Sequence, residues 1–206
     1  MTAGGGRVRR LVLVRHGETV GESSIRYHGR NDVALNDSGR EQMRQVAEQL
    51  AGESFQAVYA SRLCRSLEAA QIIAPSLPPQ AIPGFDEIHF GDWEGLTREE
   101  IAARDDVLYQ RWRAEPHEFD YPGGESVLRF RARVAAAWQE LEPCLPARAL
   151  LVAHKGVIGT ILLEALSWSR QQLAEWPIEL GSVHVLTRTS GIWSVAALGR
   201  ARQAYE

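Results

Sequence analysis

Leu11-Val12-Leu13-Val14-Arg15-His16-Gly17-Glu18-Thr19 is the stretch that decides how this chain reads. Four apolar residues in a row break off into Arg15, His16, Gly17 and Glu18. A short continuous apolar run of this kind predicts a strand buried on both faces of a sheet. The polar residues at its carboxyl end sit where open α/β sheets place their ligand sites. Arginine beside histidine suits phosphate chemistry, because a guanidinium fork grips oxyanions and an imidazole can attack phosphorus. Gly17 removes a side chain where another group comes close to the backbone. A surface loop with two basic residues would look the same over so short a window.

A second stretch repeats the pattern. Ala149-Leu150-Leu151-Val152-Ala153 is fully apolar and runs directly into His154. If both segments are parallel strands of one sheet, both imidazoles emerge at the same edge. A third strand, Phe55–Ala60, is followed by Ser61-Arg62-Leu63-Cys64-Arg65-Ser66, which delivers arginines to that edge. Arg15, His16, Arg65 and His154 can then line one cavity and neutralise a phosphoryl dianion without a metal ion.

The rest of the chain supplies crossovers. Asn36-Asp37-Ser38-Gly39 reads as a helix entry, Met43, Val46, Ala47 and Leu50 recur at helical spacing, and Gly52 is the expected stop. A helix is expected over Leu67–Ala74. Pro75–Pro83 is proline-dense and predicts an extended connector. The segment Phe85–Gly95 is rich in acids, aromatics and glycine and reads as a binding loop. Thr97–Arg113 predicts a helix or two on the surface. Pro122-Gly123-Gly124-Glu125-Ser126 caps a long helix to about Leu141, with Val127, Phe130, Val134, Trp138 and Leu141 at 3- and 4-residue steps. Gly156–Leu166 reads as a buried helix. Ser182–Thr187 and Ile192–Leu198 flank Ser190-Gly191 as a terminal hairpin. The alternation predicts an α/β fold: a three-layer αβα sandwich around a mainly parallel sheet. Residues 1–8 are expected to form a flexible tail. Residues 9–206 form a single domain, with a short cap insertion at about 96–121.

Composition bounds the partners. With 206 residues, 45% hydrophobic and 24% charged, the chain is long enough for one substantial core. A net charge of −3 recommends neither nucleic acid nor an anionic membrane as partner. Cys64 and Cys144 fit no zinc or CxxC spacing and read as free buried thiols in a reducing compartment. No histidine pair shows metal-ligand spacing. MTAGGGRVRR lacks the apolar region of a secretory signal, so the expected location is cytoplasmic.

Five motifs in order carry a resemblance that spans nearly the whole chain: Arg15-His16-Gly17-Glu18-Thr19; Ser61-x-x-x-Arg65; Glu87 ahead of Gly91-x-x-Glu94-Gly95; Gly123-Gly124-Glu125-Ser126; and the late His154. In this the chain resembles the histidine phosphatase superfamily, which includes cofactor-dependent phosphoglycerate mutases, fructose-2,6-bisphosphatase domains and α-ribazole phosphatases. The resemblance implies a phosphoglycerate mutase-like fold. It implies His16 as the nucleophile that becomes a phosphohistidine, with Arg15, Arg65 and His154 on the phosphoryl oxygens. It implies Glu87 as the group that protonates the leaving oxygen, chosen over Asp86 and Glu94 in the same loop. His28, Gly29 and Arg26, in the loop after the nucleophile, are candidate substrate contacts. No metal and no cofactor are expected.

One departure stands out. The family often has Asn six residues after the nucleophile, with Trp before it; here Glu22 and Gly21 hold those places. A carboxylate aimed at a phosphate is repulsive, so Glu22 is not counted among the ligands. Arg62 lacks the motif match and reads as a surface or secondary residue. His89 reads as structural, and His117 and His184 as surface or strand positions. Glu18 reads equally as an arginine partner or as a solvated residue. Trp93, Trp112 and Tyr121 either stack on a substrate or pack in the core. The segment between Glu87 and Gly123 is short for a mutase, and a short cap leaves water a path to the phosphohistidine. The expectation is a metal-independent phosphomonoesterase of the histidine acid phosphatase type, acting on a small phosphorylated metabolite. The alternatives are phosphoglycerate mutase-type transfer and a weakly active protein that binds a phosphorylated ligand. The terminal hairpin offers an edge for a homodimer.

Overall fold

The computed structural model describes residues 8–199. Most of the expected 1–8 tail lies outside them. Six strands form one sheet in the order β3-β2-β4-β1-β5-β6: β1 (Arg9–Arg15), β2 (Ala57–Ala60), β3 (Gln80–Ala81), β4 (Arg148–Ala153), β5 (Val183–Thr189) and β6 (Ile192–Gly199). The pairs β3–β2, β2–β4 and β4–β1 are parallel, while β1–β5 and β5–β6 are antiparallel. The sheet is thus mainly parallel, with an antiparallel hairpin closing one side.

Helices cover both faces. Along β1 the side chains alternate, so Val12 and Val14 pack with Met43, Val46, Ala69 and Ala70 of α1 (Asp37–Gln49) and α2 (Cys64–Ile73). Leu11 and Leu13 face the other way, into the core shared with Phe130, Val134, Ile158 and Ile161 of α5 (Val127–Leu141) and α6 (Lys155–Leu166). This is the expected three-layer sandwich. Leu11 through Val14 are wholly inaccessible to solvent, as a strand covered on both faces requires.

The segment read as a cap insertion holds two short helices, α3 (Arg98–Arg104) and α4 (Asp106–Ala114). Thr97 and Glu100 form a reciprocal capping box that starts α3. Beneath the cap an aromatic cluster joins Tyr27, Phe90, Trp93, Trp112, Phe119 and Tyr121 edge to face. Trp93 and Tyr121 are buried there and Trp112 packs against them, so these aromatics build the core.

Several local expectations need correction. α1 ends at Gln49, three positions before Gly52, with Leu50 as its cap. α2 begins at Cys64 rather than Leu67, because Asp32 accepts from the Cys64 N–H at 2.7 Å and supplies the N-terminal partner that Leu63 cannot. The strand read over Phe55–Ala60 is confined to Ala57–Ala60, and the proline-rich connector contributes the two-residue β3. A short helix, α7 (Arg170–Ala174), follows α6 and starts from a second capping box, Ser169 with Gln172. Neither thiol is buried: Cys64 is half-buried and Cys144 exposed. Of the two readings offered for His184, the strand position holds: it lies buried in β5, with one ring nitrogen accepting from the Trp176 indole and the other paired with the Ser182 hydroxyl.

Candidate active site

Parallel pairing brings the two histidines together. β1 and β4 are in register from Arg10↔Arg148 to Arg15↔Ala153, so the next residues, His16 and His154, leave the sheet side by side. The His16 N–H extends the ladder by donating to the Ala153 carbonyl at 3.1 Å. The two rings meet edge to face, with centroids 5.0 Å apart, and both are buried.

Each ring has one nitrogen tied down. Nδ1 of His16 lies 2.7 Å from its neighbour's carbonyl, Gly17 O. A carbonyl only accepts, so Nδ1 carries the proton and Nε2 keeps its lone pair. Nε2 of His154 is 2.7 Å from the hydroxyl of Ser61, at the end of β2. Burial, followed by the charges of Arg65 and Arg15, pushes His16 well below the ordinary histidine range. Burial, Arg65, His16 and Arg15 do the same to His154. Both imidazoles are therefore neutral at pH 7, as a nucleophilic nitrogen must be.

The guanidiniums are set by backbone carbonyls. Arg65, in the first turn of α2, is only 2% exposed, and its Nη atoms donate to Asn31 O and Gly29 O. Arg15 donates from Nη1 to Ile178 O, and its own backbone is clasped by Ser182 and Gly181. Among the described residues no carboxylate neutralises either group by direct contact, so neither positive charge is cancelled there. Burial lowers both, with the more distant charge of Glu87 opposing.

Glu87 reaches the same place from the segment after β3. Its carboxylate accepts from Ile88 N–H and, at 3.1 Å, from Gly156 N–H in the first turn of α6. Gly156 is needed for this approach: a Cβ there would lie 2.6 Å from Oε1 of Glu87. Gly17 is needed too, but the close neighbour is protein. A Cβ there would lie 2.5 Å from Gly39 O, at the start of α1.

The loop after β1 closes over the site. His28 is buried, and its Nε2 lies 2.7 Å from Gly21 O, so that nitrogen is the donor. Burial lowers this histidine also, which leaves Nδ1 as an acceptor. Gly29 gives its carbonyl to Arg65. Arg26 is turned to the cap, donating to Gly95 O and Glu100, and so is not brought to the histidines by a contact of its own. Glu22 is exposed with φ of 62°, an uncommon conformation held by the turn bonds Glu22 N–H to Thr19 O and Arg26 N–H to Glu22 O. Among the described residues Glu18 forms no ion pair with an arginine; its carboxylate accepts from the Thr19 N–H. Ser126 caps α5. Glu125 forms a two-point pair with Arg133. His89 lies 3.9 Å from Glu94, and His117 faces Arg131 near the surface.

One set of atoms unifies the site. Among the described residues, the buried side-chain nitrogens or oxygens without a protein hydrogen-bond partner are Nε of Arg15, Nδ1 of His28, Nε of Arg65 and Nδ1 of His154. Buried polar atoms without partners are uncommon in folded proteins and call for an explanation. All four belong to residues singled out from the sequence.

The chain matches the model of the histidine phosphatase superfamily, branch 1, over residues 11–200. It belongs to that superfamily. A phosphoglycerate mutase-like protein 4 of Arabidopsis thaliana is 34% identical over 167 residues, 78% of this chain and 73% of that one. The adenosylcobalamin/alpha-ribazole phosphatase of Escherichia coli K12 is 28% identical over 175 residues, 84% and 86% of the two chains. The structure of a mycobacterial glucosyl-3-phosphoglycerate phosphatase superposes with a TM-score of 0.77 at 28% identity, covering 92% of this chain and 98% of that one. The chain spans about half the length, 51%, of a bifunctional protein of Mycobacterium tuberculosis that it also matches. Among the described residues no helix is long and apolar enough to cross a membrane.

Membership puts the histidine phosphatase motifs into three dimensions. Three of their residues, His16, Arg65 and His154, come from the carboxyl ends of β1, β2 and β4, and Glu87 from the segment after β3. Sequence reading gave no role to Ser61, whose hydroxyl meets His154, although it opens one of the motifs. It likewise gave none to Arg133, whose position in α5 looks like a solvated helix face.

Proposed function

We infer that this protein is a phosphomonoesterase that works through a phosphohistidine, of the histidine acid phosphatase type, on a small phosphorylated metabolite. The unpartnered nitrogens of Arg15, Arg65 and His154 carry this reading. They are buried donors around a neutral imidazole, and a phosphoryl dianion offers acceptor oxygens that suit them.

In the first step the lone pair of His16 Nε2 forms the N–P bond while the P–O bond to the leaving alcohol breaks. Glu87 gives its proton to that oxygen. In the second step a water oxygen bonds to phosphorus, the N–P bond breaks, and the water proton passes to Glu87. Charge on the phosphoryl oxygens is met by Arg15, Arg65 and the Nδ1–H of His154. For Nδ1 to donate, Nε2 of His154 must accept from Ser61. That hydroxyl also accepts from the Leu63 N–H at 3.3 Å, which leaves its own O–H free to donate to Nε2. His28 accepts a hydroxyl or ammonium proton of the leaving group.

Transfer to a second alcohol rather than water would be the mutase outcome. The short cap of α3 and α4 supports water. The test is turnover of p-nitrophenyl phosphate and a panel of metabolite phosphates in EDTA, with 32P trapping of the enzyme. The expected result is release of inorganic phosphate and an acid-labile phosphoenzyme that His16→Ala abolishes. Label persisting in that variant overturns the assignment.

A further inference from the structure

Arg62 and Asp86 form a pair that nothing in the mechanism above uses. Asp86 is buried, its side chain only 3% exposed. Oδ1 accepts from the Arg62 N–H at 2.9 Å. Oδ2 accepts from Arg62 Nε at 2.9 Å and from Nη2 at 2.6 Å. One residue thus closes three bonds on one carboxylate, its main-chain N–H on one oxygen and two guanidinium N–H groups converging on the other.

The positions of the two partners matter more than the pair itself. Arg62 lies in the turn Ser61–Arg65, which also holds the hydroxyl on His154 and the guanidinium on the phosphoryl site. Asp86 immediately precedes Glu87. The same short segment is held from its other side by Arg133, whose Nη1 donates to Gly84 O and Asp86 O while Glu125 grips its far edge. Two arginines, from α5 and from the turn after β2, therefore bracket the peptide that carries Glu87.

We propose that Arg62 is a positioning residue, which through Asp86 sets the Glu87 carboxyl against the leaving-group oxygen by tying its peptide to the phosphate-binding turn. The proposal rests on Glu87 being the acid. The unusual feature is rigid coupling: the turn that places the phosphorus also places the proton donor, so the two cannot drift apart. Displacing such a donor by a fraction of an ångström leaves phosphate binding intact and slows only reactions that need the proton.

The experiment compares kcat/KM for p-nitrophenyl phosphate, whose leaving group departs without protonation, with kcat/KM for glycerol 2-phosphate, whose alkoxide needs it. Wild type, Glu87→Gln, Arg62→Met, Arg62→Lys and Asp86→Asn are measured in the same buffer. Glu87→Gln is expected to lose about 100-fold on glycerol 2-phosphate, the low end for general acid catalysis, and far less on p-nitrophenyl phosphate. Arg62→Met is expected to show the same one-sided loss at about tenfold, Asp86→Asn a smaller one, and Arg62→Lys an intermediate value because lysine cannot fork. The inhibition constant of inorganic phosphate is expected to stay within about twofold in all of them.

Equal losses on both substrates in Arg62→Met and Asp86→Asn overturn the proposal, since they mark a disturbed fold or phosphate cage. So does a one-sided loss in Glu87→Gln that neither clamp variant shares. If Glu87→Gln itself shows no preference between the substrates, the acid assignment falls, and the clamp's purpose with it. Asp86→Asn keeps the side-chain shape and so remains a usable test if Arg62→Met fails to fold.

Discussion

The hydroxyl of Ser61 lies 2.7 Å from Nε2 of His154, and both groups are almost wholly buried. A strand end and a helix entry far apart in the chain thus tie down Nε2 of His154 and leave Nδ1 unpartnered among the described residues. Ser61→Ala is expected to lower kcat/KM about tenfold, because the ring loses the donor that makes Nδ1 the proton-bearing nitrogen. The fold is expected to lose about 1 kcal/mol, a typical net value for one hydrogen bond. Steady-state kinetics and thermal unfolding check both.

His16→Ala is expected to remove turnover and phosphoenzyme while leaving the melting temperature near that of the wild type. Among the described residues its ring makes one protein hydrogen bond, to the adjacent Gly17 carbonyl. Wild-type activity is expected to survive EDTA. Loss of turnover on chelation, restored by a divalent cation, would contradict the mechanism.

Arg65→Lys is expected to cost at least 100-fold in kcat/KM, and to destabilise the fold as well. Lysine cannot serve both Gly29 O and Asn31 O, which Arg65 now satisfies from a buried position. Losing hydrogen bonds to a buried charged group costs about 2 kcal/mol. Denaturant titration measures the second effect separately from the first.

His28→Phe is expected to raise KM for substrates with a hydroxyl or ammonium group beside the phosphate by about 2- to 10-fold, the range of a single hydrogen bond. Inhibition by inorganic phosphate is expected to change little, since Nδ1 of a neutral His28 is an acceptor and cannot bond phosphoryl oxygens. A matching rise in the phosphate inhibition constant would place His28 on the phosphoryl group instead.

Acid is expected to destabilise the fold through its buried histidines. His184 is held neutral by burial and titrates at about 4, against about 6.5 in an unfolded chain. Between those values the unfolded state binds the extra proton, so stability is full above about pH 6.5 and falls as pH drops toward 4. The slope is about 1.4 kcal/mol per pH unit from this residue. His16 and His154, also depressed by burial, act in the same direction. His184→Gln is expected to flatten the dependence of unfolding free energy on pH between 6.5 and 4. The acid limb of kcat/KM is expected to lie below pH 6.5, because burial and the charges of Arg65 and Arg15 hold His16 below the ordinary histidine range.

Much of this was legible in side chains taken one segment at a time. Leu11–Val14 and Ala149–Ala153 announce strands covered on both faces, because only that environment suits an unbroken apolar run. Asn36 and Ser126 announce helix starts, since their oxygens accept from the N–H groups of Gly39 and Arg129. The early start of α2 was not legible, because its N-terminal partner is Asp32 from a different segment. Arg62 is the exposed residue the sequence suggested, its side chain 59% exposed, but its clamp on Asp86 was not legible because the partner lies 24 positions away.

Side-chain identity was enough for the sandwich and for the edge at which His16, Arg65 and His154 gather, because apolar runs, caps and the order of elements are local properties. Which nitrogen of each histidine is free, and where each guanidinium points, came only with the packed molecule. The groups that decide it are mostly backbone carbonyls, those of Gly17, Gly21, Gly29, Asn31 and Ile178. Every residue carries a carbonyl, so its presence in the sequence says nothing until folding places it.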